Sequence, residues 1–410
     1  MIITISKKKL CDAVYCFITM FVILLNIYAY YIGSRVPRTF AYLLIICLFL
    51  MYLGSSKTCT RKYKISLLLV SISFIVISIN GMILYGNYSW LSSTGLYILM
   101  HYSTYLLLGA ILASEVQQEN RITIYKLLLL FIVISAIIPL IVPGTNYGKR
   151  AYSIFKHPII FAQYTIIGIL ISRFYCQALP TKIAVFILLA YSLLTTYARS
   201  GWIGLACILL LVLFSKKNFS MNLPKKKLVR IVVVSLVALL ICVFSFQKII
   251  QAYIMIHSLI ELRFSGTMNS LSATQRLGTI MYFLQNFKLD EFIFGKGYGA
   301  SSLSMLNTKI TLENFSTTDN QYVSIIYDFG VVGFMWILAL FKMVVTSYFQ
   351  SVKQNDHERN FLCLSIMSLL IGAFFFEITG WPNLSPLLFI FIGMLYQLNH
   401  LKDVPRPIIQ

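Results

Sequence analysis

The sequence carries little charge for its length, and very little of that charge is acidic. Charged side chains make up 11% of the 410 residues, with 13 Asp and Glu against 34 Lys and Arg. Hydrophobic residues make up 59%, and the mean hydropathy is +0.81. A soluble domain needs far more polar side chains to cover its surface. The composition therefore excludes a soluble protein, and the net charge of +21 does not indicate a nucleic-acid partner.

The sequence also lacks any cysteine pattern typical of a metal site. Its eight cysteines contain no Cys-x-x-Cys pair, and all fall in predicted spans or on the predicted inner side. No Gly/Ser-rich or Pro-rich linker separates domains, and no internal repeat is evident. These absences predict one membrane domain with neither a disulfide framework nor a metal, and we expect no cofactor.

What the sequence does contain is a series of apolar runs of about 17–25 residues, the length that an α-helix needs to cross a bilayer. The predicted fold class is therefore an all-α polytopic membrane protein with about twelve transmembrane helices. The first run is long and lacks a small-residue cleavage site, which predicts a retained span. The predicted spans cover residues 11–33, 39–55, 65–85, 94–114, 123–143, 157–175, 181–197, 201–215, 229–246, 323–348, 361–379 and 385–399.

The basic residues predict the orientation of these spans. With twelve spans, 21 Lys and Arg lie on the inner side or at inner span ends, 12 lie outside, and Lys342 lies within a span. This excess predicts that the inner side and both termini are cytoplasmic. Membrane insertion does not require the outer basic residues, so a positive outer surface predicts an anionic ligand.

The longest connection between the apolar runs is residues 247–322. It predicts one large periplasmic loop, with transmembrane helices 1–9 before it in 1–246 and helices 10–12 plus a cytoplasmic tail after it in 323–410. A Ser-x-x-Gln capping box at 272–275 predicts a helix within the loop. The stretch at 249–260 predicts either an interfacial helix or an extension of the ninth span.

Several outer basic residues are candidates for binding an anion. Lys149 and Arg150 precede His157 and Pro158, and a proline suits the first turn of a helix. His157 would then lie at a helix N-terminus, where anions are favoured, although an ordinary helix start with basic flanks fits as well. Arg199 lies in a tight hairpin, where it either reaches the lipid headgroups or grips a phosphate bidentately.

The long loop carries candidates at both of its ends. Arg276 lies on the first turns of the predicted loop helix and is either a solvated side chain or a ligand for an anion. Asp319 is followed by Asn320, Gln321 and Tyr322 at the mouth of the tenth span. A carboxylate at that place is either a helix N-cap or a general base.

Two further acidic residues lie in or at the ends of spans, where an ionisable group is costly unless it is paired or functional. Glu377 lies near the outer end of its span, and we expect it to face the site. Asp328 lies within the tenth span, and we expect a structural partner for it, a basic residue of a neighbouring helix.

The order of short motifs resembles a known family. The chain has His157-Pro158 at the start of a mid-chain span, then a hairpin of sequence Arg-Ser-Gly-Trp at 199–202, then Gln275-Arg276 in a long outer loop. A Gly-x-Gly-x-Gly stretch at 295–299, Asp-Asn-x-Tyr at 319–322 and Gly-x-x-Gly at 330–333 follow. Over residues 145–345 this order is similar to the superfamily of O-antigen ligases and O-antigen or exopolysaccharide polymerases.

The resemblance implies a glycosyltransferase that needs neither a metal nor a nucleotide sugar. It implies transfer of a glycan from an undecaprenyl-diphosphate carrier to an acceptor hydroxyl at the periplasmic face of the bacterial inner membrane. Arg199 and Arg276 match family arginines that bind the diphosphate. The ligases use a histidine as base shortly before the span that follows the loop, whereas this chain has Asp319 there and no histidine from 258 to 356.

This difference favours the polymerase branch, with Asp319 as the general base. Lys149, Arg150, His157, Asn320, Gln321, Tyr322 and Glu377 are then the expected substrate-binding residues. The expected partners are an undecaprenyl-diphosphate-linked oligosaccharide, membrane lipid and a chain-length-determining co-polymerase. A ligase that moves polymer to lipid A-core is the second hypothesis, and a flippase for a lipid-linked glycan is the third.

Overall fold

A computed structural model of the chain is mostly helical. It describes residues 7–33, 36, 39–41, 43–45, 61–88, 93–142, 146–147, 150–215, 279–280, 282–283, 288–306, 317–381 and 383–401. The predicted ninth span at 229–246 and the apolar stretch at 249–260 lie outside the described residues, as do most of the second span and most of the predicted loop helix.

The described helices follow the apolar runs of the sequence closely. The first group is α1 (Lys7–Ile32), α2 (Arg61–Tyr85), α3 (Ser93–Glu115), α4 (Gln118–Ile141), α5 (Pro158–Tyr175), α6 (Leu179–Thr195) and α7 (Arg199–Ser215). The second group is α8 (Leu289–Phe294), α9 (Ala300–Leu306), α10 (Gln321–Gln354), α11 (His357–Gly372) and α12 (Ser385–Leu401). Strands β1 (Asn146–Tyr147) and β2 (Arg150–Ala151) form a short antiparallel pair between α4 and α5.

Four of the described helices contain an apolar segment long enough to cross a membrane, namely Asp12–Ile32, Gln118–Ile141, Pro158–Tyr175 and Gln321–Gln354. Shorter apolar helices accompany them, including Leu179–Thr195 and Ser385–Leu401. The predicted class, a helical membrane protein, is confirmed at this level.

Helix α5 forms the centre of the bundle. Its residues are buried on nearly every side, including the large side chains of Phe161 and Tyr164. Such all-round burial requires an apolar sequence without a polar face, and this is what α5 has. It packs against α4, α6, α7 and α11.

Helices α3 and α12 cross at backbone contact. A Cβ atom at Gly109 would lie 2.1 Å from the carbonyl oxygen of Ile390, and one at Gly393 would lie 2.1 Å from that of Leu106. Small residues allow this close approach, which is a common basis of helix association in membranes. The contact fixes α12, and so the segment that leads into it.

Helix α10 is kinked at Gly330, where φ is 58° and ψ is −138°. The kink leaves two carbonyl oxygens without their usual helical donors, because the chain direction changes there. The N–H groups of Lys296 and Gly297 donate instead to the carbonyls of Tyr327 and Asp328, at 3.2 and 2.8 Å. Residues 296–301 therefore form a clasp around the kink.

Asp328 completes the clasp. Its Oδ2 accepts from the Gly299 N–H at 2.9 Å, and its Oδ1 accepts from the Ser301 N–H at 2.8 Å. The predicted basic partner is wrong, because backbone amides satisfy this buried carboxylate. Gly295, Gly297 and Gly299 all have positive φ, so this stretch is a turn-rich connection.

Helix α11 ends earlier than the span predicted at 361–379. It stops at Gly372, and turns lead to a short 3₁₀ helix at Ile378–Gly380. The reason is that the Ala373 carbonyl accepts the Gln321 N–H at 2.9 Å rather than continuing the helix. This irregular stretch carries Glu377.

The opposite end of the bundle is closed by a buried ion pair. Arg121 donates from Nε and Nη2 to the two carboxylate oxygens of Glu358, at 2.7 Å each. Both side chains are less than a tenth exposed. Tyr125 donates to the same carboxylate at 3.0 Å, so α4 and α11 are joined there by one saturated network.

Candidate functional site

The first element of the site is the turn that leads into α10. Asn320 is the N-cap, because its Oδ1 accepts from the N–H groups of Tyr322 and Val323 at 3.0 and 3.2 Å. Asp319 is therefore not the cap. Its backbone has φ of 50°, a left-handed conformation that Asp tolerates better than most residues, and Thr317 donates to its carboxylate at 3.2 Å. The interpretation of Asp319 as the helix N-cap is therefore wrong.

The second element is Glu377, whose two carboxylate oxygens have different surroundings. Oε1 lies within hydrogen-bond distance of three donors, the Thr318 N–H at 2.9 Å and the hydroxyls of Thr318 and Ser324 at 2.6 Å each. Oε2 has no hydrogen-bond partner among the described residues. One oxygen therefore fixes the side chain and the other is available to a ligand.

Two further contacts fasten the turn to the segment after α11. The Oε1 of Gln321 accepts from the N–H and the hydroxyl of Thr379, at 2.9 and 2.6 Å. The Tyr322 hydroxyl donates to the Leu370 carbonyl at 2.7 Å. Residues 317–322 and Glu377 are thus held together by bonds between parts of the chain more than 45 positions apart.

His157 lies beside this segment. It is the N-cap residue of α5 with Pro158 in the first turn, as the sequence predicts. Its ring lies 4.5 Å from the ring of Trp381, measured between centroids. Trp381 also contacts Tyr30 at the end of α1, at 5.7 Å. His157 therefore joins the group that contains Glu377 through an aromatic contact.

Two predicted basic residues, Arg150 in β2 and Arg199 at the start of α7, lie at the same end of the bundle. The Nε of Arg150 donates to the Thr196 carbonyl at 3.2 Å, which ties β2 to the turn before Arg199. Arg199 is exposed at the start of α7. A Cβ atom at Gly201 would lie 2.8 Å from that of Ala162, so the first turns of α7 and α5 are in contact.

Tyr298 is a partly buried phenol within the clasp. Burial raises the pKa of its phenol, and the negative charges of Asp328 and Glu377 raise it further. A phenol in that environment stays protonated and can act as a hydrogen-bond donor.

The structure thus gathers most of the predicted site residues at one end of the bundle. We call this the site end, defined by residues 317–322, Glu377, His157, Arg150 and Arg199. Arg276 and Lys149 lie outside the described residues. The sequence did not predict a role for Thr318, Ser324, Thr379, Trp381 or Tyr298. Short hydroxyl residues beside a predicted acidic site were the available signal for the first three.

The fold and this site define a class, a helical membrane protein with a carboxylate-bearing site where the ends of several apolar helices meet. Residues 184–338 match the family model described as O-antigen ligase. This match supports the O-antigen ligase and polymerase superfamily, so the resemblance drawn from the motifs is confirmed. The match spans Arg199, Arg276 and Asp319, whereas His157 and Glu377 lie outside it. No curated protein matches the chain.

Proposed function

We propose that this protein is an O-antigen, or related surface-polysaccharide, polymerase. It transfers the growing glycan from undecaprenyl diphosphate to the non-reducing end of another lipid-linked repeat unit at the periplasmic face. The observation that carries the proposal is that the turn bearing Asp319 is hydrogen-bonded through Thr318 to Glu377 at the mouth of α10, where the ligases of this superfamily place a histidine.

The reaction breaks the bond between the anomeric carbon of the donor sugar and the diphosphate oxygen. A bond forms between that carbon and the acceptor oxygen, and the acceptor proton passes to a base. The diphosphate leaves as the undecaprenyl ester with its negative charge. Arg199 and Arg276 are the proposed ligands of this charge, since cations placed at a leaving diphosphate lower the barrier.

Asp319 is the proposed base. Its position after the long loop is the one that the family resemblance assigns to this role. Glu377 is the proposed ligand for a second acceptor hydroxyl through its open Oε2. Because Oε1 is anchored by three donors, the direction of Oε2 is fixed before the substrate binds.

Glu377 is also the second candidate for the base, on that same observation. A general base must lie within hydrogen-bond reach of the proton that it removes, and an open, oriented carboxylate oxygen meets this condition. Mutation distinguishes the roles of the two carboxylates. An Asp319→Asn variant that still restores full-length polymer in a polymerase-deficient strain contradicts Asp319 as the base.

Deletion of the gene in its host tests the function itself. Loss of a polymerase leaves single repeats on the lipopolysaccharide, which an electrophoretic ladder resolves. Loss of a ligase leaves core with no repeats at all. Loss of a flippase instead traps lipid-linked repeats on the inner side of the membrane. Measuring how much of this lipid is accessible from each side of sealed membrane vesicles detects this. Only the first result agrees with the proposal.

A further inference from the structure

A cavity lies in the half of the bundle away from Glu377. Helices α5, α6 and α7 line an open cavity of about 310 Å³, within the size range of ligand pockets. Its walls are almost wholly aliphatic and aromatic. They are formed by Ile169, Leu170, Ser172, Leu179, Ile183, Phe186, Leu205, Ile208, Leu209 and Val212, together with Arg173 and Lys182.

The cavity carries two basic residues, Arg173 and Lys182. Among the described residues, no carboxylate lies within ion-pair distance of Arg173 or Lys182. The Arg173 guanidinium lies over the ring of Phe174, whose centroid is 5.7 Å away. Arg173 is exposed and Lys182 is half-buried at the edge of this cavity, so the positive charge of both is open to an anionic ligand.

The position of the cations matches the depth of a lipid headgroup. Arg173 lies in the last turn of α5 and Lys182 in the first turn of α6, so both are at the ends of their helices. Phe174 contacts His357, the first residue of α11, at 6.2 Å, which places them at the end that holds Glu358. Ile169 and Phe186 lie about one turn further along their helices, towards the middle of the bundle.

We propose that this cavity binds an anionic phospholipid. One acyl chain occupies the apolar part, and the phosphate contacts Arg173 and Lys182. Basic pockets between transmembrane helices bind anionic headgroups in this way. Under the predicted orientation this end faces the cytoplasm, where anionic lipids are enriched. The inference concerns lipid binding and does not depend on the proposed function.

The test compares purified full-length protein in mixed micelles that contain phosphatidylglycerol or phosphatidylcholine. A ligand that binds only the folded state raises the unfolding temperature. We expect a larger rise with phosphatidylglycerol for the wild type, and loss of most of that difference in the double variant Arg173→Gln, Lys182→Gln. The matched control is Lys126→Gln, Lys353→Gln, which removes two exposed lysines and should keep the difference.

Three further arms fix the ligand. Native mass spectrometry should show a retained phosphatidylglycerol in the wild type and not in the double variant. Leu209→Trp, which fills the cavity from α7, should also weaken retention while keeping both cations. Inorganic phosphate should give no stabilisation, since it lacks the acyl chain.

Equal effects of the two lipids on the wild type overturn the proposal, as does an undiminished difference in the double variant. A response to inorganic phosphate alone would show an anion site without a lipid chain, and a preference for undecaprenyl phosphate over phosphatidylglycerol would assign the cavity to the carrier lipid. Either of these results also overturns it.

Discussion

The two ends of the bundle each hold a glutamate, and the two carboxylates differ in how their oxygens are hydrogen-bonded. Glu358 has both oxygens bound by the Arg121 guanidinium, and Tyr125 adds a further bond. Glu377 has one oxygen bound by neutral donors, and its other oxygen has no partner among the described residues. A carboxylate that is saturated by a cation stabilises the fold, whereas one anchored through a single oxygen keeps capacity for a ligand.

A Glu→Gln substitution at each end tests this difference most directly. Glu358→Gln removes the charge that Arg121 requires, and breaking a buried pair costs about 3–5 kcal/mol. We expect a large fall in the unfolding temperature of the purified protein, or loss of the protein from membranes. Glu119→Gln, an exposed change on α4, is the control and should stay within about 0.5 kcal/mol of the wild type.

Glu377→Gln should give the reverse result. The amide oxygen of Gln can still accept the three bonds now made to Oε1, so the unfolding temperature should change little. Polymer formation should fall, by about 10²–10⁴-fold for a general base and by about tenfold for a residue that only binds a sugar hydroxyl. Measured beside Asp319→Asn, the larger loss identifies the base. Wild-type polymer levels in Glu377→Gln would remove Glu377 from the site.

Asp328→Asn, in the clasp, should affect both stability and activity, and so differ from both glutamate variants. An amide group would turn one N–H towards the donor N–H of Gly299 or Ser301, so a buried bond is lost at a cost of about 1–3 kcal/mol. We expect lower thermal stability and a parallel, smaller loss of polymer. Activity lost without any loss of stability would show that Asp328 acts in the reaction itself.

The smallest effect should come from the helix caps at the two ends. Asn320→Ala removes the cap of α10, and Asp356→Ala removes that of α11, where Asp356 Oδ1 accepts the Arg359 N–H at 3.1 Å. Asn320→Ala should cost about 1 kcal/mol in unfolding free energy, and Asp356→Ala more than that, because it also removes the ion pair of Asp356 with the Arg359 guanidinium at 3.4 Å. Only Asn320→Ala should also lower polymer formation, because only that cap positions Asp319. Equal activity of the two variants would contradict this difference.

The sequence predicts the described spans well because apolar length and periodicity are local properties. The start of α5 at His157 and Pro158 is also local, since a proline in the first turn favours that boundary. The Gly-rich turns at 295–299 are predictable for the same reason, because glycine adopts positive φ without a steric cost.

The contacts of the site could not be predicted in this way. The partner of Glu377 is Thr318, 59 positions earlier, and no local pattern links the two residues. The basic partner expected for Asp328 was wrong because the kink at Gly330 brings backbone amides to the carboxylate. The early end of α11 at Gly372 has a similar origin, since the Gln321 amide captures the Ala373 carbonyl.

The clasp also limits how this protein can change during evolution. A Cβ atom at Gly330 would lie 2.4 Å from the carbonyl oxygen of Phe292, and one at Gly295 would lie 2.6 Å from that of Asp328. Both clashes are with main-chain atoms, so no exchange of a neighbouring side chain relieves them. A substitution at either glycine should therefore have few second-site suppressors. A genetic screen for restored function should recover mainly true revertants.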